Sequence, residues 1–324
     1  MQSEMTGELV SRTKALLADK TVQLVLGWRR GLFDYDVTPS LFTSADDVEK
    51  NFVYNEYSAA NLSKYLVKET RKIETAKNTV RANNALAKQK DANAETQAEP
   101  EAKILVFLKP CDTYSFTELL KEHRIFRSDV YAIGVPCDGM QDSEKRELSE
   151  RCAVCKSKKH IGCDELIGED GDVRDSARFD EVAKLEAMTE EERFAFWQNE
   201  LSRCIRCNAC RDVCPACTCT TCVFDNPASG AAQKVAASSF EESMYHIIRA
   251  WHVAGRCTDC GECSRVCPQR IPLHLINRKF IKDIDELYGS YTAGSDMETK
   301  PPMLTYKTDD AEPGIIYSRS GGTL

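Results

Sequence analysis

Residues 203–222 read RCIRCNACRDVCPACTCTTC and residues 256–268 read RCTDCGECSRVCP, two runs built on one spacing, C-x2-C-x2-C-x3-C-P. Cys204, Cys207, Cys210 and Cys214, followed by Pro215, fill it first; Cys257, Cys260, Cys263 and Cys267, followed by Pro268, fill it again. No other feature restricts the fold so tightly, because thiols at such fixed offsets must close around something. Ordinary buried cysteines, acting as small hydrophobes, explain isolated positions but not seven of the 16 cysteines within residues 203–222. A disulfide framework belongs to small exported scaffolds, and MQSEMTGELV has no basic region followed by an apolar run.

Three thiolates two residues apart wrap three corners of a 4Fe-4S cube, and the next turn carries the fourth cysteine toward a second cube. The spacing therefore predicts crossed ligand sets: Cys204, Cys207, Cys210 and Cys267 on one cluster, Cys257, Cys260, Cys263 and Cys214 on the other. Structural zinc, the competing reading, takes four thiolates as separated pairs and has no use for the triple with its trailing Cys-Pro. Residues 215–256 make a longer connection than a compact bacterial ferredoxin needs. This predicts a helical two-cluster ferredoxin domain, of the type found in iron–sulfur subunits of respiratory reductases.

At 324 residues the chain is long enough for two cores, and a formal charge of -8 argues against a general binder of nucleic acid. No window of about 18 apolar residues suggests a membrane span, so a cytoplasmic, reducing setting is expected.

Upstream, the runs at 22–26, 103–108 and 129–135 are short, apolar and β-branched, as strands are. Phe116, Leu119, Leu120 and His123 share one helical face between the last two, which makes a βαβ unit and an α/β domain with a small parallel sheet. Cys111 and Cys137 fall just past two strand ends, the edge where open α/β sheets place ligands. With Cys152 and Cys155 they form a quartet for a third 4Fe-4S cluster. In the alternative, the first two are separately packed thiols and the C-x2-C pair acts alone. Cys163, Cys217, Cys219 and Cys222 remain for a fourth metal site, although C-x-C-x2-C serves zinc or redox exchange as readily.

The expected organisation is an α/β cluster-binding domain over 1–188, a helical ferredoxin-like domain over 189–294 and an extended tail over 295–324. Residues 71–102, poor in large aliphatics, read as a solvated helical or disordered insertion within the first domain. Thr189 with Glu192 reads as a capping box ahead of Phe194, Trp197 and Leu201. Phe240, Met244, Ile247, Ile248 and Trp251 mark a second helix, and Leu273, Ile276, Phe280, Ile284 and Leu287 a third, ending before Gly289. These apolar stripes read as core.

NLSKYLVKE, KPCDTYSFTELLKEHRIFRSDVYAIGVPCDGM, RCAVC with DELIGED, LSRCIRCNACRDVCPACTCTTCVFD and HIIRAWHVAGRCTDCGECSRVCPQRIPLHLINRKF together resemble an iron–sulfur family. It is the family related to the beta subunits of deazaflavin-reducing hydrogenases and formate dehydrogenases, and the likeness covers about two thirds of the chain. The resemblance implies a dicluster or multicluster electron carrier in an anaerobic complex, alongside formate dehydrogenase, hydrogenase or heterodisulfide-reductase-like subunits. Related beta subunits bind FAD and reduce a deazaflavin; the glycine-rich start of their flavin domain is not found here.

Two functions from different classes follow. The first is an electron-transfer subunit that relays single electrons to or from a flavoprotein or ferredoxin and has no catalytic residues of its own. The second is a flavin-containing reductase acting on a deazaflavin or nicotinamide, although no G-x-G-x-x-G follows any candidate strand. A scaffold with structural clusters is a third reading. Arg203, Arg206, Arg211, Arg256 and Arg265 flank the motifs, either offsetting cluster charge or simply solvated. The five histidines fit no serine or cysteine hydrolase signature.

Overall fold

The side chains of Ile104–Leu108 are all buried, which a strand achieves only when both faces of its sheet are covered. This strand, β3, lies at the centre of a five-stranded sheet ordered β2-β1-β3-β4-β5, with β1 Leu24–Arg30, β2 Val37–Phe42, β4 Val130–Gly134 and β5 Glu165–Leu166. The β1–β3, β3–β4 and β4–β5 pairs are parallel, and β2 runs antiparallel on the edge. The computed structural model describes residues 2–91, 95–172, 177–226, 228 and 239–308. Two compact units divide the chain, Met1–Ser176 and Ala177–Leu324.

In the first unit the helices are α1 Gln2–Ala18, α2 Ala45–Asn51, α3 Ser63–Lys90, α4 Pro110–Lys121 and α5 Glu150–Ala153. Helices α3 and α4 pack on β3 and on each other, while α2 packs on β2 and on α1. The βαβ unit expected from sequence is β3-α4-β4, in register from Ile104 opposite Val130 to Leu108 opposite Gly134. Strand β2 escapes the sequence pattern because Pro39 sits in it and most of its side chains are half-exposed, both marks of an edge. The core gathers Trp28, Phe52 and Phe107, with ring centroids of Phe52 and Phe107 4.9 Å apart. Gly27 admits this packing, since a Cβ there would stand 2.7 Å from the Phe52 ring.

Helix α3 continues into the segment read as an insertion. Its buried positions stop at Ile73, and beyond them Glu99 pairs with Arg81 at 2.7 Å and the Gln97 backbone bonds Asn84, both exposed. Residues 92–94 lie outside the described residues.

The second unit contains α6 Asp180–Glu186, α7 Glu190–Ser202, α8 Ala209–Asp212, α9 Ser239–His252, α10 Glu262–Arg265 and α11 Leu273–Tyr288. The capping box forms: Thr189 Oγ1 accepts from the Glu192 N–H at 3.2 Å, and Glu192 accepts from the Thr189 N–H at 2.9 Å. Helix α11 stops at Gly289, which takes φ +93°.

The expectation that the apolar stripes form core fails on α9. Met244, Ile247 and Trp251 are 39%, 47% and 61% exposed, whereas Tyr245, His246, Arg249 and Ala250 are buried. Phe194 on α7 is exposed too, although Leu201 is buried and Trp197 packs against the core. Helix α9 turns its polar side inward because the thiols are there. The Phe240 side chain falls outside the described residues. Among the described residues of the expected tail, Pro302–Leu304 forms a 3-10 turn, and residues 309–324 lie outside them. Among the described residues, no helix is long and apolar enough to cross a membrane.

Phe107→Ala should lower the unfolding free energy of the first unit by about 3–5 kcal/mol, the cost of emptying an aromatic core site. Phe33→Ala, at a side chain 55% exposed, should change it by less than about 0.5 kcal/mol. Anaerobic urea unfolding of both variants checks the contrast.

Candidate metal centres

The two cysteine runs fold alike. In the first, Arg206 and Asn208, either side of Cys207, take φ +54° and +63°; in the second, Asp259 and Gly261, either side of Cys260, take +55° and +69°. One short helix follows each, α8 from Asn208 and α10 from Gly261. Left-handed residues around a central cysteine turn successive N–H groups inward, a concavity suited to anions. The Arg206 N–H donates to Cys204 Sγ at 3.4 Å, and the Asp259 N–H donates likewise to Cys257. Glu262 and Ser264 supply backbone N–H donors to Cys260 and Cys263.

The fourth cysteine of each run sits with the other run. Cys204, Cys207, Cys210 and Cys267 line one partly open concavity of about 330 Å³, together with Ile205 and His246. Cys214 is an electrostatic neighbour of Cys257, Cys260 and Cys263. Among the described residues no three His, Cys, Asp or Glu side chains meet as a single ion requires. Zinc would draw its thiolates to about 2.3 Å from one centre, whereas a cube takes one thiolate at each of four irons.

Burial raises these thiols: Cys210 and Cys257 are pushed up to about 12, and Cys260 and Cys263 are also raised. Against that, Arg249 beside Cys210 and Cys263 favours their charged form. His246 approaches Cys204 Sγ with Nε2 at 3.3 Å, and burial, aided by Arg249 and Arg206, lowers the imidazole to about 3 and keeps it neutral. Asn277 Nδ2 donates to Cys263 Sγ at 3.6 Å.

The arginines flanking the motifs serve the scaffold. Arg211 pairs with Asp212 and Asp225, Arg265 with Glu262, and Arg203 with Glu200. Arg206 lies 4.1 Å over the Tyr245 ring, and Arg256 ties to the Ala216 carbonyl at 3.0 Å. The cation among the thiols is Arg249, which sequence reading missed. Its signal was present: Tyr245, His246 and Arg249 share the α9 face opposite Met244, Ile247 and Trp251.

In the first unit, Cys111 occupies the first turn of α4, and Cys137 follows β4 at the same sheet edge. Cys137 is an electrostatic neighbour of both Cys111 and Cys152, so three of the expected quartet share one neighbourhood. Cys152 Sγ accepts the Met140 N–H at 3.3 Å. Gly139, at φ +127°, allows this approach, since a Cβ there would meet Leu148 at 2.6 Å. Cys155 follows one turn later with its thiol on the Ser157 carbonyl at 3.1 Å.

Positive charge surrounds this group. Lys109 is fully buried, ion-paired to Asp112 at 2.6 Å, and lies 4.5 Å over the Trp28 ring. With Arg151 it partly offsets the burial that drives Cys111 upward, and Lys158 does the same beside Cys137. A helix N-terminus and neighbouring cations fit thiolate ligands.

Cys163 stands apart, beside Gly134, with Asp164, Asp170 and Arg127 as its charged neighbours; burial pushes it up to about 12. Cys217 is half-buried near Arg249, Cys219 is exposed and Cys222 half-buried. None of the 16 cysteines is in a disulfide.

Residues 200–271 match the family model of the 4Fe-4S dicluster domain. Over 108 residues, 33% of the chain, the protein is 32% identical to the beta subunit of F420-dependent formate dehydrogenase from Methanocaldococcus jannaschii. The chain spans 27% of the length of that curated relative. Within the second unit it is therefore similar to two-cluster iron–sulfur proteins, and the match supports two 4Fe-4S clusters on this chain.

Proposed function

We propose that this chain is the iron–sulfur electron-transfer subunit of a multi-subunit oxidoreductase. The observation that carries the reading is the exchange of fourth cysteines, Cys267 into the first run's concavity and Cys214 into the second run's thiols. Cys204, Cys207, Cys210 and Cys267 hold one cluster; Cys257, Cys260, Cys263 and Cys214 hold the other. A 4Fe-4S cluster held by either set would supply reversible one-electron chemistry. The protein's part is to bury the sulfurs, donate N–H groups to them and set their electrostatic surroundings.

Cys111, Cys137, Cys152 and Cys155 hold a third 4Fe-4S cluster at the sheet edge. The shared neighbourhood of Cys111, Cys137 and Cys152 favours this reading over separately packed cysteines. Cys217, Cys219 and Cys222 lie just past Cys214 and are left without a ligand role. The name of the Methanocaldococcus relative, an F420-dependent formate dehydrogenase beta subunit, supports a formate dehydrogenase-type partner; the electrons pass on the other side to a flavoprotein or ferredoxin.

Chain purified without oxygen should carry about twelve irons with matching acid-labile sulfide, about eight from the crossed motifs and about four from the first unit. Cys207→Ser should lower iron by about four and slow reduction of the partner at least tenfold, while Cys163→Ser leaves both unchanged. Unchanged iron in Cys207→Ser would refute the ligand assignment.

Cys111→Ser should remove about four irons while sparing the interacting EPR signal of the dithionite-reduced pair. Acid extraction of the same sample for flavin separates a pure relay from a flavin-bearing reductase.

A further inference from the structure

Arg249 is 3% exposed on α9, and its Nε and Nη1 have no hydrogen-bond partner. Its side chain bonds Cys263, and its strongest electrostatic partners are Cys263, Cys214, Cys210 and Cys217, in that order. Cys210 belongs to the first crossed set, and Cys214 and Cys263 to the second. One cation thus stands against thiols of both sets.

A buried guanidinium with two unmet donors is costly unless an anion faces it. The leading charged neighbours of Arg249 are all thiols, so the anion facing it is sulfur. Arginine keeps its charge under all ordinary conditions, so its field is permanent. His246, one turn earlier and neutral, faces Cys204 with Nε2 at 3.3 Å.

We propose that Arg249 is the shared counter-charge of the two dicluster sites, raising the reduction potential of both and easing entry of a second electron beside the first. The inference rests on the dicluster reading above. One electron enters each cluster from the external reductant and leaves on oxidation; Arg249 stays protonated and is bonded to neither. Close in space and shielded from water, a fixed positive charge attracts each added electron more strongly than solvent would.

The test is an EPR-monitored redox titration of the full chain, purified without oxygen, as Arg249→Gln and Arg249→Lys, with iron counted first. Arg249→Gln should lower the reduction equilibrium constant of both second-unit clusters at least about tenfold, a shift of about 59 mV for one electron. Arg249→Lys, which keeps the charge, should stay within about threefold of the unaltered protein. If glutamine costs iron, retained iron and unshifted potentials in the lysine variant support the charge role. Full iron with unshifted potentials in Arg249→Gln overturns the proposal. So does a shift confined to one cluster, a shift in the lysine variant, or loss of iron from both variants. Absence of iron from the unaltered protein would sink the dicluster reading itself, an outcome distinct from all of these.

Discussion

Burial, ahead of every other cause, pushes the thiols of Cys210 and Cys257 up to about 12, so sulfur in this interior carries charge only where something nearby is positive or donates hydrogen. The second unit answers with backbone N–H groups aimed at Cys204, Cys257, Cys260 and Cys263, and with Arg249 behind them. That requirement inverts α9. A helix that would bury Met244, Ile247 and Trp251 in an ordinary core buries Tyr245, His246 and Arg249 instead, because the interior is a place for electrostatic compensation as much as for apolar contact.

The backbone that aims those N–H groups is strained. Arg206 and Asp259 are not glycines, yet both take left-handed φ, at a cost of about 1–3 kcal/mol each. Separate ties hold them. Asp259 is gripped by Arg278 at 2.8 Å and Arg178 at 3.5 Å, whereas Arg206 lies over the ring of Tyr245. At the next left-handed position the first run uses Asn208, whose Oδ1 accepts from the Tyr245 hydroxyl at 3.0 Å; the second uses Gly261, which needs no tie. Two runs that differ at both left-handed positions thus reach one backbone by different side chains.

Legibility in the sequence followed the range of the interaction concerned. The three-residue spacing within each cysteine run, the β3-α4-β4 unit and the Thr189–Glu192 capping box rest on local pattern, and the structure forms the unit and the box. Strand β2 did not announce itself, since an edge strand with one fully buried side chain has little apolar pattern to show. Arg249 was passed over for the opposite reason. The apolar stripe of α9 is genuine, but hydrophobic periodicity reports that a helix has two faces without reporting which one the fold buries. That choice was made by thiols elsewhere in the chain, and Tyr245, His246 and Arg249 on the other face were its local trace.

The first unit meets the same electrostatic demand with less success, and the difference bears on how its thiols become charged. Lys109 is buried as completely as any cation in the chain, but Asp112, ion-paired to it at 2.6 Å, pushes Cys111 upward more than Lys109 pulls it down. Around Arg249 the leading partners are thiols. Cys111 therefore keeps its proton at neutral pH. Lys109 lowers the cost of the charged state without creating it.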